Sequence, residues 1–334
     1  MSRLRLGVIG AGTWGRNHVR TAAGLADAEL AGVCDTKAGV RETVTRQYPG
    51  AFVTADVDAL LERVEAVVIA SPATTHAEFA RRAIAAGKPC LVEKPFALRV
   101  ADAEGVAQAA SAAGVPVLAG HLLVFHPAVD ALRALVAGGE LGRLLYMYGL
   151  RVNLGQVRAD ENALWSFGPH DVSVALHLLG EAPVRVTAQG SSYLRPGVED
   201  VVFLHMEFAS GAMAHVQLSW LDPHKERKLT VVGDRKMVVF DDMEPREKLR
   251  IYDKGVTRPP EYASWGESLA VREGDIFIPK IANVEPLGAE LAHFVRVARG
   301  AEPPRASAAD GVKVVRVLEA ASRSLTNGGT PVSL

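Results

Sequence analysis

Across its first 120 residues the chain alternates short apolar runs with alanine-rich helical stretches, and that alternation leaves few folds open. The runs are Leu6–Ile9, Leu30–Cys34, Ala51–Thr54, Val67–Ala70, Pro89–Val92 and Pro116–Ala119; between them lie Trp14–Gly24, Lys37–Gln47, His76–Ala86 and Arg99–Ala113. Strands that are apolar throughout, each separated by a helix, predict a parallel sheet buried on both faces. Gly87 and Gly114 fall just past helical stretches, where a left-handed cap is wanted, and Pro89 and Pro116 follow them.

From Pro127 the pattern changes. A helical stretch over Pro127–Ala137 leads into strand-like runs at Leu144–Val152, Val184–Tyr193, Val201–Phe208, Ala212–Trp220, Lys228–Val232, Lys236–Phe240 and Leu249–Tyr252. Gly233-Asp234 is placed to join two of them as a tight hairpin. Successive strands without intervening helices predict a mainly antiparallel sheet. Asp253–Pro279 reads as an irregular surface segment, and helical stretches follow at Pro286–Ala298 and Ala306–Ser324. The α/β chain is therefore expected to divide into domains 1–120 and 121–334, which suits its 334 residues.

Charge and cysteine content narrow the function classes. Lys and Arg number 37 against 38 Asp and Glu, so nothing favours nucleic acid or an anionic membrane surface. No apolar stretch approaches the ~20 residues that span a bilayer, and the first apolar run, short and glycine-bearing, does not read as a secretory signal. Cys34 and Cys90 sit in apolar runs with no CxxC or Cys/His cluster, which predicts buried free thiols in a reducing cytoplasm. His121, His126, His170 and His177 show no metal-ligand spacing, so no metal is expected.

The strongest motif is Gly10-Ala11-Gly12-Thr13-Trp14-Gly15, after an apolar strand and opening a helix. Gly10 permits a tight turn, Gly12 lets backbone approach a pyrophosphate, and Gly15 lets helix and strand pack closely. The helix N-terminus then faces the phosphates. Asp35 ends the second strand 20 residues after Gly15, where a carboxylate accepts from the adenosine ribose hydroxyls. A carboxylate there repels a 2′-phosphate, so NAD is favoured over NADP, with Lys37 as the reservation.

Two further segments follow strands of the same sheet. Ser71-Pro72-Ala73-Thr74-Thr75-His76 sits where open α/β sheets bind ligands, and Thr74 or Thr75 could equally cap the next helix. Glu93-Lys94-Pro95 puts a charged pair at the end of a buried strand. Burial beside a nicotinamide would lower a lysine's pKa and suit it to proton transfer; a salt-bridged strand end is the plainer alternative.

GAGTWG, then Asp35, then SPATTH, then EKP resembles the glucose–fructose oxidoreductase / inositol dehydrogenase / rhizopine-catabolism (Gfo/Idh/MocA) family, over nearly the whole chain. The resemblance implies a doubly wound Rossmann domain that binds NAD through Gly10, Ala11, Gly12, Thr13, Trp14, Gly15, Asp35, Ser71, Pro72, Thr75, His76, Glu93 and Lys94. It implies a C-terminal α/β domain with a large open sheet, and homodimers or homotetramers formed through that sheet. It also places Lys94 beside the nicotinamide and the reacting hydroxyl. Such enzymes carry a D-x-x-x-H pattern opening a helix of the second domain. Here the segment reads Trp165-Ser166-Phe167-Gly168-Pro169-His170-Asp171, so His170 matches the family histidine while Ser166 stands at the aspartate position. That departure speaks against a Lys–Asp–His relay and leaves Lys94 and His170 to handle the hydroxyl proton.

The run from Arg151 to Asp171, with Gly120–Pro127, is similar to the branch that oxidises C3 of UDP-N-acetylglucosamine or its uronic acid. By that resemblance Lys94, His121, Asn153, Arg158, Glu161, Asn162, Trp165 and His170 form the substrate site. Asn and Glu hold sugar hydroxyls, an aromatic face packs on a pyranose, and an arginine pairs with a diphosphate. A polar loop before a helix, with no ligand, also fits these residue types. The rival substrates are a free polyol, inositol or aldose, or a ketosugar reduced in reverse. A non-catalytic NAD-binding sensor is the rival of another class; the presence of both Lys94 and His170 argues against it.

Overall fold

The computed structural model describes residues 2–155, 161–257 and 270–334, so Arg158 lies outside the described residues. The chain forms two compact units, Met1–Phe125 with Val284–Arg316, and His126–Asn283 with Val317–Leu334.

In the first unit the elements run β1 (Leu4–Ile9), α1 (Gly15–Gly24), β2 (Ala28–Cys34), α2 (Ala38–Gln47), β3 (Phe52–Thr54), α3 (Val57–Leu61), β4 (Ala66–Ile69), α4 (His76–Ala85), β5 (Cys90–Glu93), α5 (Val100–Ala113) and β6 (Val117–Gly120). The six strands are parallel in the order β3-β2-β1-β4-β5-β6. This is the doubly wound Rossmann sheet, and its order reverses between β1 and β4. Strands β4, β5 and β6 are buried along their whole length, the physical basis of their unbroken apolar runs. Gly87 (φ 67°) and Gly114 (φ 65°) take the left-handed caps expected of them. The five-residue α3 is too short to show a helical period in sequence; Asp56 caps it by accepting the Asp58 N–H at 2.9 Å.

The second unit begins with α6 (Pro127–Ala137), β7 (Leu144–Val152), α7 (Ala163–Leu179), β8 (Pro183–Ser191), β9 (Val201–Phe208) and β10 (Met213–Ser219). It continues with β11 (Glu226–Gly233), β12 (Met237–Asp241), β13 (Leu249–Thr257) and β14 (Ala270–Phe277). The chain then adds α8 (Pro286–Ala298) to the first unit, and α9 (Ala308–Thr326) and β15 (Val332–Ser333) complete it. Nine strands pair in the order β14-β13-β12-β11-β7-β10-β9-β8-β15, all antiparallel except β7 with β10. Gly233 donates its N–H to Lys236 O at 3.0 Å, closing the expected turn between β11 and β12.

One segment departs from its sequence reading. Asp253–Pro279 is not wholly irregular: β13 continues to Thr257, and β14 pairs with it at the sheet edge. Gly274–Phe277 are exposed at every position, so this edge strand has no buried face to write an alternating pattern into the sequence.

On the other side of the first unit, Leu287, Leu291 and Phe294 of α8 share a core with Val19 and Ala22 of α1 and with Leu6 and Val8 of β1. The 287–291–294 spacing is a helical stripe. Glu290 lies within that stripe, fully buried, and neither carboxylate oxygen has a hydrogen-bond partner among the described residues. Burial, and then the Glu93 carboxylate, hold its carboxyl well above the usual range, so it stays protonated in the folded chain. In the unfolded chain it ionises near the ordinary value of ~4.3. Stability referred to this group is thus present below that value and lost as pH rises toward the folded one. Glu290→Leu is expected to raise the thermal midpoint by about 2–4 °C near pH 7 and by less near pH 4, read by calorimetry at both pH values. A lower midpoint at both would mean that Glu290 stabilises the core.

Candidate active site

Because the six strands of the first unit are parallel, their carboxyl ends share one edge, and the sequence-predicted cofactor residues gather there. Gly10–Gly15 follows β1, Asp35 follows β2, Ser71 and Pro72 follow β4, Glu93 ends β5 with Lys94 next, and His121 follows β6. This is the edge, beside the reversal of strand order, at which doubly wound sheets bind ligands.

The glycine loop is closed behind and open in front. A Cβ on Gly15 would sit 2.0 Å from Gly10 O, and one on Gly10 (φ +87°) would sit 2.7 Å from the Ser71 backbone. On Gly12 it would meet nothing within 4 Å. Gly12, Thr13 and Trp14 are exposed while Ala11 and Gly15 are buried. The first turn of α1 has no acidic residue, and Trp14 at its N-cap makes no side-chain cap. A bare helix N-terminus behind a glycine with open space in front is a cradle that fits a dinucleotide pyrophosphate.

Asp35 does more than the sequence suggests. Its Oδ2 accepts the Ala11 N–H at 2.8 Å and its Oδ1 the Lys37 N–H at 2.9 Å, so it also fastens the glycine loop to the end of β2. Arg41, overlooked in the sequence, donates from Nη1 to Asp35 O and Thr36 O, both at 2.8 Å.

The SPATTH segment is held by its own side chains. Thr75 Oγ1 donates to Pro72 O at 2.8 Å and pairs with Ser71 Oγ at 2.7 Å, and makes no cap on α4. His76 is buried, with Nδ1 2.8 Å from Pro95 O and Nε2 2.9 Å from Ser71 O. Its ring therefore stitches the loop after β4 to the EKP segment. Burial holds the imidazole below its ordinary pKa against the pull of both carbonyls, so near pH 7 its single N–H serves one of them at a time.

Glu93 is buried, and its carboxylate takes three internal donors: Trp14 Nε1 at 2.6 Å, His18 Nε2 at 2.6 Å and the Lys94 backbone N–H at 2.9 Å. Burial pushes its carboxyl up, but the His18 hydrogen bond and charge, the Trp14 hydrogen bond and the charge of Lys94 outweigh it and hold it below the ordinary range. His121 is buried as well, and burial pushes its imidazole down to about 4, so it is neutral near pH 7.

In the second unit Asn153 follows β7, Glu161 and Asn162 precede α7, and Trp165 and His170 lie on α7. Asn162 caps the helix, its Oδ1 accepting the Trp165 N–H at 3.1 Å while its Nδ2 donates to Glu199 at 2.6 Å. The Trp165 indole N–H donates to Ser322 Oγ at 2.9 Å. These two predicted substrate residues thus have structural bonds of their own. Ser166 is buried. A pair missed in the sequence fixes the helix: Arg151 Nε donates to Asp171 Oδ2 at 2.5 Å and Nη2 to Oδ1 at 3.3 Å, both side chains buried. Arg151 shares the buried face of β7 with Met147 and Gly149, and a charge on a core face demands a partner; that was the available signal. Asp171 is next to His170, so this pair anchors the α7 turn that carries the histidine. Among the described residues no group of three His, Cys, Asp or Glu side chains is placed to hold a metal ion, and no helix is long and apolar enough to cross a membrane.

A Rossmann sheet with a dinucleotide cradle, EKP at its carboxyl edge and a second unit built on an open sheet define an NAD-binding oxidoreductase. Residues 4–121 match the oxidoreductase family with an NAD-binding Rossmann fold, and residues 129–239 match the Gfo/Idh/MocA C-terminal domain. UDP-N-acetylglucosamine 3-dehydrogenase of Acidithiobacillus ferrooxidans is 30% identical over 327 residues, 96% of each chain. Inositol 2-dehydrogenase 2 of Saccharopolyspora erythraea is 33% identical over 224 residues, 64% of this chain and 66% of that one. Among solved structures, the Acidithiobacillus 3-dehydrogenase GnnA superposes with a TM-score of 0.83 at 26% identity, over 98% of this chain and 99% of that one. GenD2 from gentamicin A biosynthesis, in complex with NAD, gives 0.83 at 28% identity, over 100% and 97%. The chain belongs to the Gfo/Idh/MocA family, whose relatives named here are dehydrogenases of sugar and polyol CH–OH groups.

Proposed function

We propose that the chain oxidises a ring hydroxyl, at C3, of a UDP-linked N-acetylated hexose to a ketosugar. The observation that carries this reading is the likeness to the Acidithiobacillus enzyme, which runs the length of both chains rather than through the nucleotide-binding half alone. Lys94 or His170 accepts the proton from the hydroxyl oxygen, and Arg158 pairs with the diphosphate. The nicotinamide, when bound, supplies the hydride acceptor. Ser166 cannot ionise, so no carboxylate at that position orients His170; the Arg151–Asp171 pair fixes its turn instead.

The shorter likeness to an inositol 2-dehydrogenase, at slightly higher identity, favours a free polyol as the second reading. Reduced-nicotinamide absorbance with NAD and UDP-N-acetylglucosamine, its uronic acid, myo-inositol and glucose separates the two. A parallel set with a 2-oxoacid, read by product mass, covers an enzyme that retains its cofactor. Turnover of a UDP-sugar alone is expected. Turnover of inositol or glucose alone would contradict the nucleotide-sugar reading and leave the hydride chemistry standing.

In this reading the chain works in a reducing cytoplasm as a homodimer or homotetramer. One face of the nine-stranded sheet exposes Tyr146 and Tyr148 on β7, Met213 on β10 and Phe203 on β9, a patch suited to a second copy. Light scattering is expected to give at least twice the chain mass; a monomer at micromolar concentration would contradict this.

A further inference from the structure

The EKP segment is held from two sides. On one, the Pro95 carbonyl contacts His76 at 2.8 Å. On the other, the Glu93 carboxylate gathers donors from three separate pieces of the first unit: the glycine loop through Trp14, helix α1 through His18, and the Lys94 backbone. Lys94 lies between these two attachments.

The space around Glu93 is kept for it. Opposite, in β6, stands Gly120, where a Cβ would fall 3.0 Å from Glu93 Cα and 3.4 Å from its Cδ. A carboxylate can only accept, so Trp14 and His18 both present N–H to the same oxygen, Oε1, at 2.6 Å, while Oε2 is left to Lys94. Short bonds to a charged acceptor out of water are among the stronger hydrogen bonds a protein makes. Trp14 is the telling partner. Its ring is 44% exposed at the tip of the loop that fits the pyrophosphate, yet its indole N–H reaches a carboxylate that is 5% exposed. Whatever shifts the loop tip also pulls on Glu93, and through Oε2 on the Lys94 backbone.

We propose that Glu93 is a positioning residue for Lys94, and that the Trp14–Glu93 hydrogen bond couples occupancy of the glycine loop to the placement of that lysine. This rests on the reading of Lys94 as a proton-handling residue. Neither Trp14 nor Glu93 needs to touch the reacting atoms. Trp14 transmits the state of the loop, His18 holds the carboxylate from behind, and Glu93 sets the backbone from which the lysine side chain extends.

The test uses Trp14→Phe, Glu93→Gln and the double variant of the full chain. Each is checked for a cooperative melt, then titrated with NAD by calorimetry and assayed with UDP-N-acetylglucosamine. Trp14→Phe keeps the ring and removes only the donor; loss of a hydrogen bond to a charged group is expected to weaken NAD binding and lower kcat, each about 10-fold. Glu93→Gln is expected to lower kcat by at least as much. KM for the sugar stays near the wild-type value in both, a split that general loosening of the fold would not give. The double variant is expected to be no worse than Glu93→Gln, since both changes break the same link. Unchanged kcat in Trp14→Phe, or additive losses in the double variant, would overturn the proposal. If Glu93→Gln fails to fold, Trp14→Phe decides alone. Non-additivity in NAD affinity needs no sugar turnover: additive NAD affinities would overturn the coupling and leave the sugar reading intact. A wild-type chain that shows the coupling but oxidises no sugar would sink the sugar reading instead.

Discussion

Lys94→Ala is expected to bind NAD as the unsubstituted chain does and to turn over sugar about 10²–10⁴-fold more slowly, the usual contribution of a positioned acid or base. Selectivity for the chemical step follows from what the substitution leaves in place. Glu93 bonds the backbone N–H of residue 94, and His76 bonds the carbonyl of Pro95; neither uses the lysine side chain. The glycine loop, Asp35 and the Trp14–Glu93 bond are likewise intact. Only the amine is removed. NAD affinity by calorimetry and single-turnover rates by stopped flow check both halves of the expectation, and wild-type-like turnover would refute a role for Lys94 in proton transfer. His170→Ala then tells whether the two groups share the proton: a loss as large as that of Lys94→Ala, with the double variant no worse, would mark them as one unit.

A second large effect is expected in the glycine loop, where two adjacent-looking glycines fail in different ways. In Gly15→Ala the new Cβ falls 2.0 Å from Gly10 O and 2.8 Å from Gly10 C, backbone against which no rotamer change helps. Overpacking of this kind costs about 1–3 kcal/mol, which lowers the melting midpoint of the cofactor-free chain by about 2–12 °C. NAD binding is lost with the loop. In Gly12→Ala the Cβ meets nothing within 4 Å, so the cofactor-free chain melts as before. Yet that open space is where backbone must approach the pyrophosphate. NAD affinity in Gly12→Ala is expected to fall at least about tenfold, ~1.4 kcal/mol, with no change in cofactor-free stability. Melting curves with and without NAD separate the two. Undiminished NAD binding in Gly12→Ala would mean that the pyrophosphate lies elsewhere.

The contrast between these glycines also shows where sequence suffices. GAGTWG, Asp35 and EKP are legible because each is fixed by local geometry: a tight turn, a strand end, a charge after an apolar run. The unbroken apolar runs of β4, β5 and β6 report burial on both faces directly. What sequence conceals is contact between distant segments. Glu93 reads as a candidate for the cofactor site, but its carboxylate is committed to Trp14 and His18, 79 and 75 residues away. Asn162 and Trp165 read as sugar ligands because their residue types suit a sugar; those types suit a helix cap and a bond to Ser322 equally well. Helix α8 shows its apolar stripe plainly, but an amphipathic period does not say which sheet it covers, and this one shares the core of the first unit. Strand β14, exposed from Gly274 to Phe277, writes no period at all.

The central claim is that the chain removes a hydride from C3 of a UDP-linked N-acetylated hexose. The direct measurement is mass spectrometry of the nicotinamide after incubation with NAD and UDP-N-acetylglucosamine deuterated at C3, in parallel with the same sugar deuterated at C4. The account predicts deuterium on the reduced nicotinamide from the C3-labelled sugar only, with a ketosugar product. Label arriving from C4 would contradict the C3 assignment. No reduction with either sugar, in a chain shown to bind NAD, would contradict the nucleotide-sugar reading itself.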